Sequence, residues 1–286
     1  LQGSGVPQSV ADLVGARSLS VGSAHACVVK ETGRVACWGS NGSGQLGTLT
    51  TLFAAAPLEI PDLTDALEVA TGHAHTCVLH AGGTVSCWGS NVHGQLGDGT
   101  RSDSAAPVAV TGLSGVLGLA AGAGHTCALL STGRVSCWGL NRQGELGNGD
   151  VEDSELPVMV DAVSHAVGLS AREFHTCTLL ASGVVRCWGD NLRGQLGNGD
   201  SGDFASTPVT VVNLDDAIAV SAGQAHSCAV RASGQVMCWG ANDAGQAGTD
   251  PALGWVLPTT VADISDAVGV AAGARTWTQA IWANTP

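Results

Sequence analysis

Residues 125–147 read HTCALLSTGRVSCWGLNRQGELG, and variants of this stretch recur through most of the 286-residue chain. Its first cysteine recurs at intervals of 50 or 51 residues, at Cys27, Cys77, Cys127, Cys177 and Cys228. Ten residues after each of these cysteines, a second cysteine opens a Cys-Trp-Gly triplet, at Cys37, Cys87, Cys137, Cys187 and Cys238. A fixed period of this length indicates a protein built from structural repeats.

The remainder of the period is equally regular. An Asn-x-x-Gly-Gln-Leu-Gly block or a close variant follows each triplet, and a Pro-x-x-Val-like segment opens the next unit. In the third unit we predict four short strands, at 107–110, 116–121, 125–130 and 134–138, and we find no helical period. Four strands in about 50 residues are typical of a β-propeller blade. We therefore predict one all-β propeller domain over residues 1–286, with units at about 7–56, 57–106, 107–156, 157–207, 208–257 and, in part, 258–286.

The two cysteines of a unit are predicted to face each other across a β-hairpin. A three-residue loop that ends at Gly133 pairs Leu130 with Arg134 and Cys127 with Cys137. Directly opposed residues lie about 4.5–5.5 Å apart at Cα, which a disulfide tolerates. The same count in every unit predicts the disulfides Cys27–Cys37, Cys77–Cys87, Cys127–Cys137, Cys177–Cys187 and Cys228–Cys238. A zinc site in each hairpin is the alternative, but it lacks a fourth ligand at a fixed spacing.

Cysteine usage and charge indicate the setting of the protein. Ten cysteines that all pair indicate an oxidising compartment, so we expect an extracellular, periplasmic or cell-surface protein. The net charge of −13 offers no attraction to phosphate backbones, so we expect no nucleic-acid partner. No stretch approaches the roughly 18 apolar residues that a membrane span needs. The sequence starts at Leu1 without a signal peptide, and we expect a processed or trimmed chain.

The shared motifs of the units are Gly-x-x-His, Gly-x-Val-x-x-Trp-Gly and Asn-x-x-Gly-Gln-Leu-Gly. They resemble the regulator of chromosome condensation repeat family, from about Val6 to about residue 283. The resemblance implies a circular propeller. It does not imply the founding member's activity as the exchange factor for the small GTPase Ran, because that activity belongs to a cytosolic or nuclear setting, which the disulfides contradict. Other members include secreted bacterial propellers that inhibit β-lactamases, and a shared fold does not determine a function.

The last unit departs from the pattern. Arg275 and Trp277 stand where His and Cys stand elsewhere, and no Cys-Trp-Gly strand follows. Counting inner strands predicts six blades, the sixth without its fourth strand. The N-terminal segment Leu1–Val6 offers a strand that would fill this gap and close the ring. Alternatively, the incomplete blade with Trp277 and Trp282 accepts a strand from a neighbour, so that the protein self-associates or belongs to an assembly.

The repeated histidines and the acidic loops do not predict a catalytic centre. One histidine recurs in each of five units, which indicates a brace that hydrogen-bonds the backbone between blades, at His25, His75, His125, His175 and His226. The acidic loops at 98–103, 150–155 and 200–203 offer oxygen ligands for calcium, but their spacing is not that of a calcium loop. The chain has no nucleophile elbow, phosphate loop or paired-His zinc motif. We therefore predict a non-enzymatic protein without cofactor or metal.

The residues that break the repeat are the candidates for binding. They are Phe53, Phe204 and Trp255, in the long loops after the Gly-Gln-Leu-Gly block, and Arg172, Glu173 and Phe174, which replace the usual Gly-x-x before the repeated His. Because strands alternate in direction within a blade, we expect all six on one face of the disc. Aromatic and Arg side chains on a rigid scaffold are typical of protein-binding hot spots, and loop aromatics that merely cap the blade cores are the alternative.

Three functions are compatible with these features. The first is a secreted or cell-surface module that recognises a protein partner through that face, for example as an inhibitor of a secreted or periplasmic enzyme. The second is self-association through the incomplete blade. The third is a carbohydrate-binding or carbohydrate-active propeller, which requires clustered carboxylates or histidines at the mouth of the central channel. His73, His93 and His165 lie outside the repeat position, and their spacing does not predict such a cluster.

Overall fold

The computed structural model describes residue 10, residues 13–273 and residues 278–282. These residues form antiparallel β-sheets that follow one another along the chain, with one short 3₁₀ turn at Pro251–Leu253. Five of the sheets have four strands, and the sixth has two within the described residues. The predicted all-β propeller is confirmed, with blades 1 to 5 complete and a two-stranded sixth sheet.

Each blade has an inner, a second, a third and an outer strand. The inner strands are β1 (Ala16–Val21), β5 (Ala66–Thr71), β9 (Val116–Ala121), β13 (Ala166–Arg172), β17 (Ala217–Ala222) and β21 (Ala267–Ala272). The second strands are β2 (His25–Lys30), β6 (His75–His80), β10 (His125–Leu130), β14 (His175–Leu180), β18 (His226–Arg231) and β22 (Thr278–Trp282). The third strands are β3 (Val35–Ser40), β7 (Val85–Gly89), β11 (Val135–Gly139), β15 (Val185–Gly189) and β19 (Val236–Ala241). The outer strands are β4 (Phe53–Glu59), β8 (Ser104–Ala109), β12 (Ser154–Met159), β16 (Ala205–Thr210) and β20 (Trp255–Thr260).

The outer strand shifts the blade boundaries from those predicted. We expected the segment that contains Pro107 to open a unit, but β8 pairs with β7 and so completes the preceding blade. Proline has no N–H to donate to a ladder, so it is tolerated on the outermost strand, where that position needs no partner. Blade 2 therefore spans residues 66–109, and every blade is displaced by one strand from the predicted unit.

The predicted hairpins and disulfides are confirmed. In blade 3 Leu129 pairs with Val135 and Cys127 with Cys137, and Gly133 has the left-handed φ of 71°. All five disulfides join the second and third strands of a single blade, and their Cα atoms lie 4.0–4.1 Å apart. The described residues contain no free cysteine. Each cross-link is therefore internal to one hairpin.

The hydrophobic core lies between successive blades. Blade 1 presents its disulfide and Leu46 to blade 2, and Trp88 of blade 2 packs against them without exposed surface. The Trp88 indole Nε1 donates to the backbone oxygen of Gln45 at 2.9 Å. The next three junctions repeat this arrangement with Trp138, Trp188 and Trp239. The triplet tryptophans are thus packing residues between blades.

The first and last blades differ from the others at their outward sides. Leu19 of β1 is 61% exposed, whereas the equivalent Val69 is 4% exposed, and Trp38 is only partly buried. The described part of the sixth sheet has two strands instead of the predicted three, because the outer strand of every blade follows the long loop. The proposed closing segment Leu1–Val6 and the proposed assembly residue Trp277 lie outside the described residues, and Trp282 is the last residue of β22.

Candidate functional site

The topology places two sets of loops on one side of the disc. The turns between the inner and second strands and the long loops between the third and outer strands leave the sheet in the same direction, because adjacent strands are antiparallel. We call this side the loop face. All six candidate binding residues lie in these segments or at the adjacent strand ends.

Three of the candidate aromatics occupy one equivalent position in different blades. This position directly precedes the outer-strand residue that pairs with the glycine of the Cys-Trp-Gly triplet. It holds Phe53 in blade 1, Asp103 in blade 2, Asp153 in blade 3, Phe204 in blade 4 and Trp255 in blade 5. The two phenylalanines are each 48% exposed and the tryptophan is 37% exposed. The aromatics therefore stand at strand ends rather than within the loops.

The aspartates at this position have a structural role that the aromatics do not share. The carboxylates of Asp103 and Asp153 accept hydrogen bonds from the backbone N–H of Asn91 and Asn141, at 2.7 and 2.9 Å. In blades 1 and 5 the same N–H instead bonds the backbone oxygen of the residue before the aromatic. The aromatic side chain therefore takes no part in this hydrogen bond, and the bond does not explain why its surface is exposed.

Trp255 is partly a packing residue. A Cβ on Gly194 of the neighbouring blade would lie 2.7 Å from the Trp255 ring, so the indole covers this glycine closely. The corresponding turn glycines of the earlier blades, Gly44, Gly94 and Gly144, lie against the backbone or a small side chain of the next outer strand. Trp255 therefore both covers a blade junction and presents its remaining surface on the loop face.

The Arg172-Glu173-Phe174 segment changes the turn of blade 4. Four other blades have glycine at the position of Arg172, and a Cβ on those glycines would lie 2.1–2.9 Å from the following His ring. In blade 4 the strand continues for one more residue, Arg172 pairs with His175, and Glu173 adopts a φ of +48°. The turn is therefore tighter than in its neighbours, and Phe174 is 37% exposed.

Glu173 joins His73 across the channel mouth. The Glu173 carboxylate lies 2.9 Å from Nε2 of His73, although the two residues are on blades 4 and 2. The hydrogen bond to Glu173 raises the pKa of His73 against the opposing effect of burial. Both line a polar cavity of about 260 Å³, together with Arg172 and the inner strands of the first four blades. The loop face thus carries a hydrogen-bonded His–carboxylate pair above the channel.

This pair corrects our expectation for the non-repeat histidines. Their spacing did not predict a cluster, yet His73 meets Glu173 because both hold the same turn position, two repeats apart. Comparing equivalent turn positions would have found the pair. His93 instead pairs with Asp153 at 2.8 Å, and His165 bonds Ser164. The same cavity is also lined by Glu68, whose carboxyl pKa is raised by burial, and by Arg172, whose Nε has no hydrogen-bond partner among the described residues.

The repeated histidines link blades through hydroxyl groups rather than through the backbone. Nε2 of His25 lies 2.9 Å from the Thr76 hydroxyl of the next blade, which itself donates to the Gln45 carbonyl. The hydroxyl must therefore accept from the imidazole. The other four histidines reach Thr126, Thr176, Ser227 and Thr278 in the same way at 2.9–3.0 Å. The predicted brace between blades is present, but its partner is a side chain because strand backbone groups are already paired in the ladders.

Burial keeps these five imidazoles neutral. It lowers the pKa to about 3 for His75 and His175 and to about 4 for His25, His125 and His226. The buried Nδ1 atoms have no hydrogen-bond partner among the described residues. A neutral ring that donates from Nε2 is a structural link between blades.

The acidic loops use their carboxylates as turn acceptors. Asp98 accepts from the side chain of Asn91 and from Thr100, and Asp150 accepts from Asn141. Across residues 13–273 and 278–282, no three His, Cys, Asp or Glu side chains converge as a metal-binding group. The described part of the chain also contains no helix long and apolar enough to cross a membrane.

Comparison with known proteins places the whole repeat in one family. A sequence profile described as the RCC1-like domain matches residues 3–279. The chain belongs to the RCC1-like domain family. RCC1-like propellers are generally non-catalytic proteins of the binding or exchange-factor type. No curated protein sequence matches the chain.

Several solved structures share the fold. Yeast RCC1 (Prp20) bound to Kap60 has a TM-score of 0.82 and 23% identity, over 92% of this chain and 67% of that one. Prp20p from Saccharomyces cerevisiae, whose structure was described with its binding to Gsp1p and histones, has a TM-score of 0.81 and 24% identity, over 93% and 69%. Human WBSCR16 has a TM-score of 0.78 and 22% identity, over 90% and 69%. The chain thus spans about two thirds of the length of these three structures.

Proposed function

We propose that this RCC1-like propeller is a binding module of an extracellular, periplasmic or cell-surface setting, and that it recognises a protein partner through its loop face without catalysis. The observation that carries the proposal is the exposed aromatic surface at one equivalent position of adjacent blades 4 and 5, at Phe204 and Trp255. Aromatic side chains on a rigid scaffold supply most of the binding energy in many protein interfaces.

The sector of blades 4 and 5 concentrates the features that a partner would contact. Beside Phe204 and Trp255 it holds Phe174 and the exposed aliphatic residues Leu192 and Leu253. Arg172 of the same blade lines the channel mouth. Phe53 lies on blade 1. Blades 2 and 3 lie between blade 1 and blade 4, and they carry Asp103 and Asp153 at the equivalent position. We therefore place the centre of the interface in blades 4 and 5 and Phe53 outside it.

The proposed compartment rests on the disulfides. Five hairpin disulfides and no free thiol among the described residues suit an oxidising environment, because cytosolic reductants keep thiols reduced. The yeast relatives' titles name protein partners, Kap60, Gsp1p and histones. From these relatives we carry over only the class, a propeller that binds proteins.

The test compares two phenylalanines that differ in blade but match in position and exposure. The full chain is immobilised, proteins from the extracellular or periplasmic fraction of its source are captured and identified, and the affinity of the purified partner is then measured. We expect Phe204→Ser to weaken binding at least tenfold and Phe53→Ser to change it less than twofold. Equal effects of the two substitutions, or no effect of either, would contradict an interface centred on blades 4 and 5.

A second candidate function is self-association through the chain ends. The outward side of blade 1 exposes Leu19, Val21 and part of Trp38, which correspond to buried or partly buried residues in the later blades. Such a side offers a surface for another β-unit. Light scattering coupled to size exclusion separates the candidates: a concentration-dependent mass increase that Leu19→Ser abolishes supports assembly, and a constant monomer mass of the full chain contradicts it.

A further inference from the structure

A β-bulge recurs at the start of every inner strand. In each blade the register between the inner and second strands skips one residue, as between Val116 and Gly118 or between Ala267 and Gly269. The skipped residues are Arg17, Leu67, Leu117, Val167, Ile218 and Val268. A bulge redirects a side chain out of the alternation of a strand. Five of the six redirected side chains are aliphatic.

Four of the aliphatic bulge residues are exposed, and we call them the aliphatic ring. Leu117 is 63% exposed, Val167 57%, and Ile218 and Val268 50% each. The residue before each of them is instead buried in the blade core, as Val116 and Ala267 are. A repeat that regularly turns an aliphatic side chain outward creates a periodic apolar surface, which a monomeric propeller does not need for its own packing.

The ring lies on the side opposite the loop face. The inner strands begin at this side, where their first residues bond the hairpin loops of the preceding blade, as Ala217 N–H does with Gly183. We call this side the hairpin face, and the ring consists of the exposed residues Leu117, Val167, Ile218 and Val268, whereas Leu67 is partly buried and packs against the core between blades 2 and 3. None of its members belongs to the proposed interface of the loop face.

Negative charge lies beside the ring at blade 5 and the sixth sheet. Exposed Asp215, Asp263 and Asp266 lie in the loops that enter the inner strands of blade 5 and the sixth sheet, next to Ile218 and Val268. They have no basic partner among the described residues, whereas Asp216 and Asp161 pair with Arg231 and Arg134. Two copies facing each other through this ring would bring like charges together, and an anionic lipid surface would be repelled.

We propose that the hairpin face is a second docking surface, which takes a protein segment whose aliphatic or aromatic side chains are flanked by Lys or Arg. The apolar side chains of the segment cover the ring at Ile218 and Val268, and its basic groups lie near Asp215 and Asp266. This proposal is independent of the loop face, because it uses different residues on the opposite side of the disc.

A random peptide library displayed on phage tests the proposal with the full oxidised chain as bait. Peptides retained by the wild type are counter-selected against the variant Ile218→Ser/Val268→Ser, and enriched peptides are synthesised for affinity measurement. We expect enriched sequences to combine apolar residues with Lys or Arg. The double variant should weaken their binding at least tenfold, and Asp215→Asn/Asp266→Asn should weaken it several-fold and reduce its salt dependence.

Two controls separate this surface from the other interactions of the protein. Phe204→Ser should leave peptide affinity unchanged, so failure of the loop-face proposal and failure of this one are distinguishable. The exposed ring substitutions should leave the melting temperature and the five disulfides intact, as circular dichroism and intact mass report. Enriched peptides without basic residues, equal binding to wild type and double variant, or a dimer that the double variant dissociates would each overturn the proposal.

Discussion

Glu145 is a buried residue that breaks the repeat. The other four complete blades carry glutamine at its position, at Gln45, Gln95, Gln195 and Gln246. Glu145 is fully buried, its Oε2 accepts from the Gln143 N–H at 2.7 Å, and its Oε1 has no partner among the described residues. Burial raises the pKa of Glu145 from 4.5 to about 7. Ionisation of this carboxyl group near neutral pH therefore destabilises the folded state of blade 3.

We predict that Glu145→Gln stabilises the protein above neutral pH. Below pH 4.5 the carboxyl is protonated in both the folded and the unfolded chain; as the pH rises to about 7, ionisation of the unfolded chain lowers the stability. At pH 8 the amide should raise the free energy of unfolding by up to about 3 kcal/mol, and at pH 4 by much less. Urea unfolding at the two pH values measures this difference.

The reverse substitution in the next blade is the matched control. Gln195 is fully buried at the equivalent position, so Gln195→Glu should lose stability over the same pH range in which Glu145→Gln gains it. A stability gain of Glu145→Gln that is the same at pH 4 and pH 8 would show that ionisation is not its cause.

At the element scale, the hairpin could be predicted from sequence and the blade boundary could not. The loop that ends at Gly133 is short, so its length determines which residues pair and brings Cys127 opposite Cys137. The outer strand follows a long loop, so local sequence does not show which blade it joins. The period of about 50 residues does not show this either, because it is the same wherever the repeat is taken to begin. The edge position of Pro107 is the sequence feature that indicates the correct boundary.

The candidate site was predicted in part for similar reasons. Strand alternation is enough to place Phe204 and Trp255 on the same side. Their equivalence to Asp103 and Asp153 follows only from the register of the outer strand. The loops before this strand differ in length between blades, so the repeats cannot be aligned unambiguously there from sequence. The contact of His73 with Glu173 depends on the modified turn of blade 4, for which only the replacement of glycine by Arg172 gives a sequence signal.

We predict that each hairpin disulfide stabilises the protein by about 2–3 kcal/mol, because it restricts the unfolded chain over a short loop. Removing one as Cys127→Val/Cys137→Val keeps apolar side chains in the core beside Trp188 and removes the cross-link. The unfolding free energy in urea should fall by that amount. In the variant Cys127→Ala/Cys137→Ala the unfolding free energy should fall further, because the smaller side chains also leave a cavity. A Val variant as stable as the wild type would contradict a stabilising role of the cross-link.

At the scale of the whole molecule, five His–hydroxyl links connect the blades in series. Ala26 stands in blade 1 where the later blades carry the accepting Thr or Ser. In the last unit Thr278 takes this accepting position, so the residue at the position of the donating His is Trp277 rather than the predicted Arg275. Both members of the pair that would join the last unit to the first are thus absent from the sequence. The two ends of the series therefore have no link of this kind.

These links predict destabilisation by acid. Above pH 6.5 the imidazoles are neutral in both states; as the pH falls towards 4 only the unfolded chain binds protons, so stability is lost. Each buried histidine should contribute about 1.4 kcal/mol per pH unit over this range. The slope of unfolding free energy against pH near pH 5 gives the proton uptake, which His125→Gln should reduce by about one proton. A His125→Gln variant with the same proton uptake as the wild type would contradict the assignment.

The placement of every disulfide within one hairpin bears on how such a protein matures and evolves. Ten cysteines can pair in about 945 ways, yet here each native partner is the cysteine ten residues away. Oxidation can therefore be completed locally before the blades associate, without an isomerase having to sort distant partners. A duplicated or deleted stretch of gene that encodes one whole repeat also carries its own cysteine pair, so the number of blades can change without leaving an orphaned thiol.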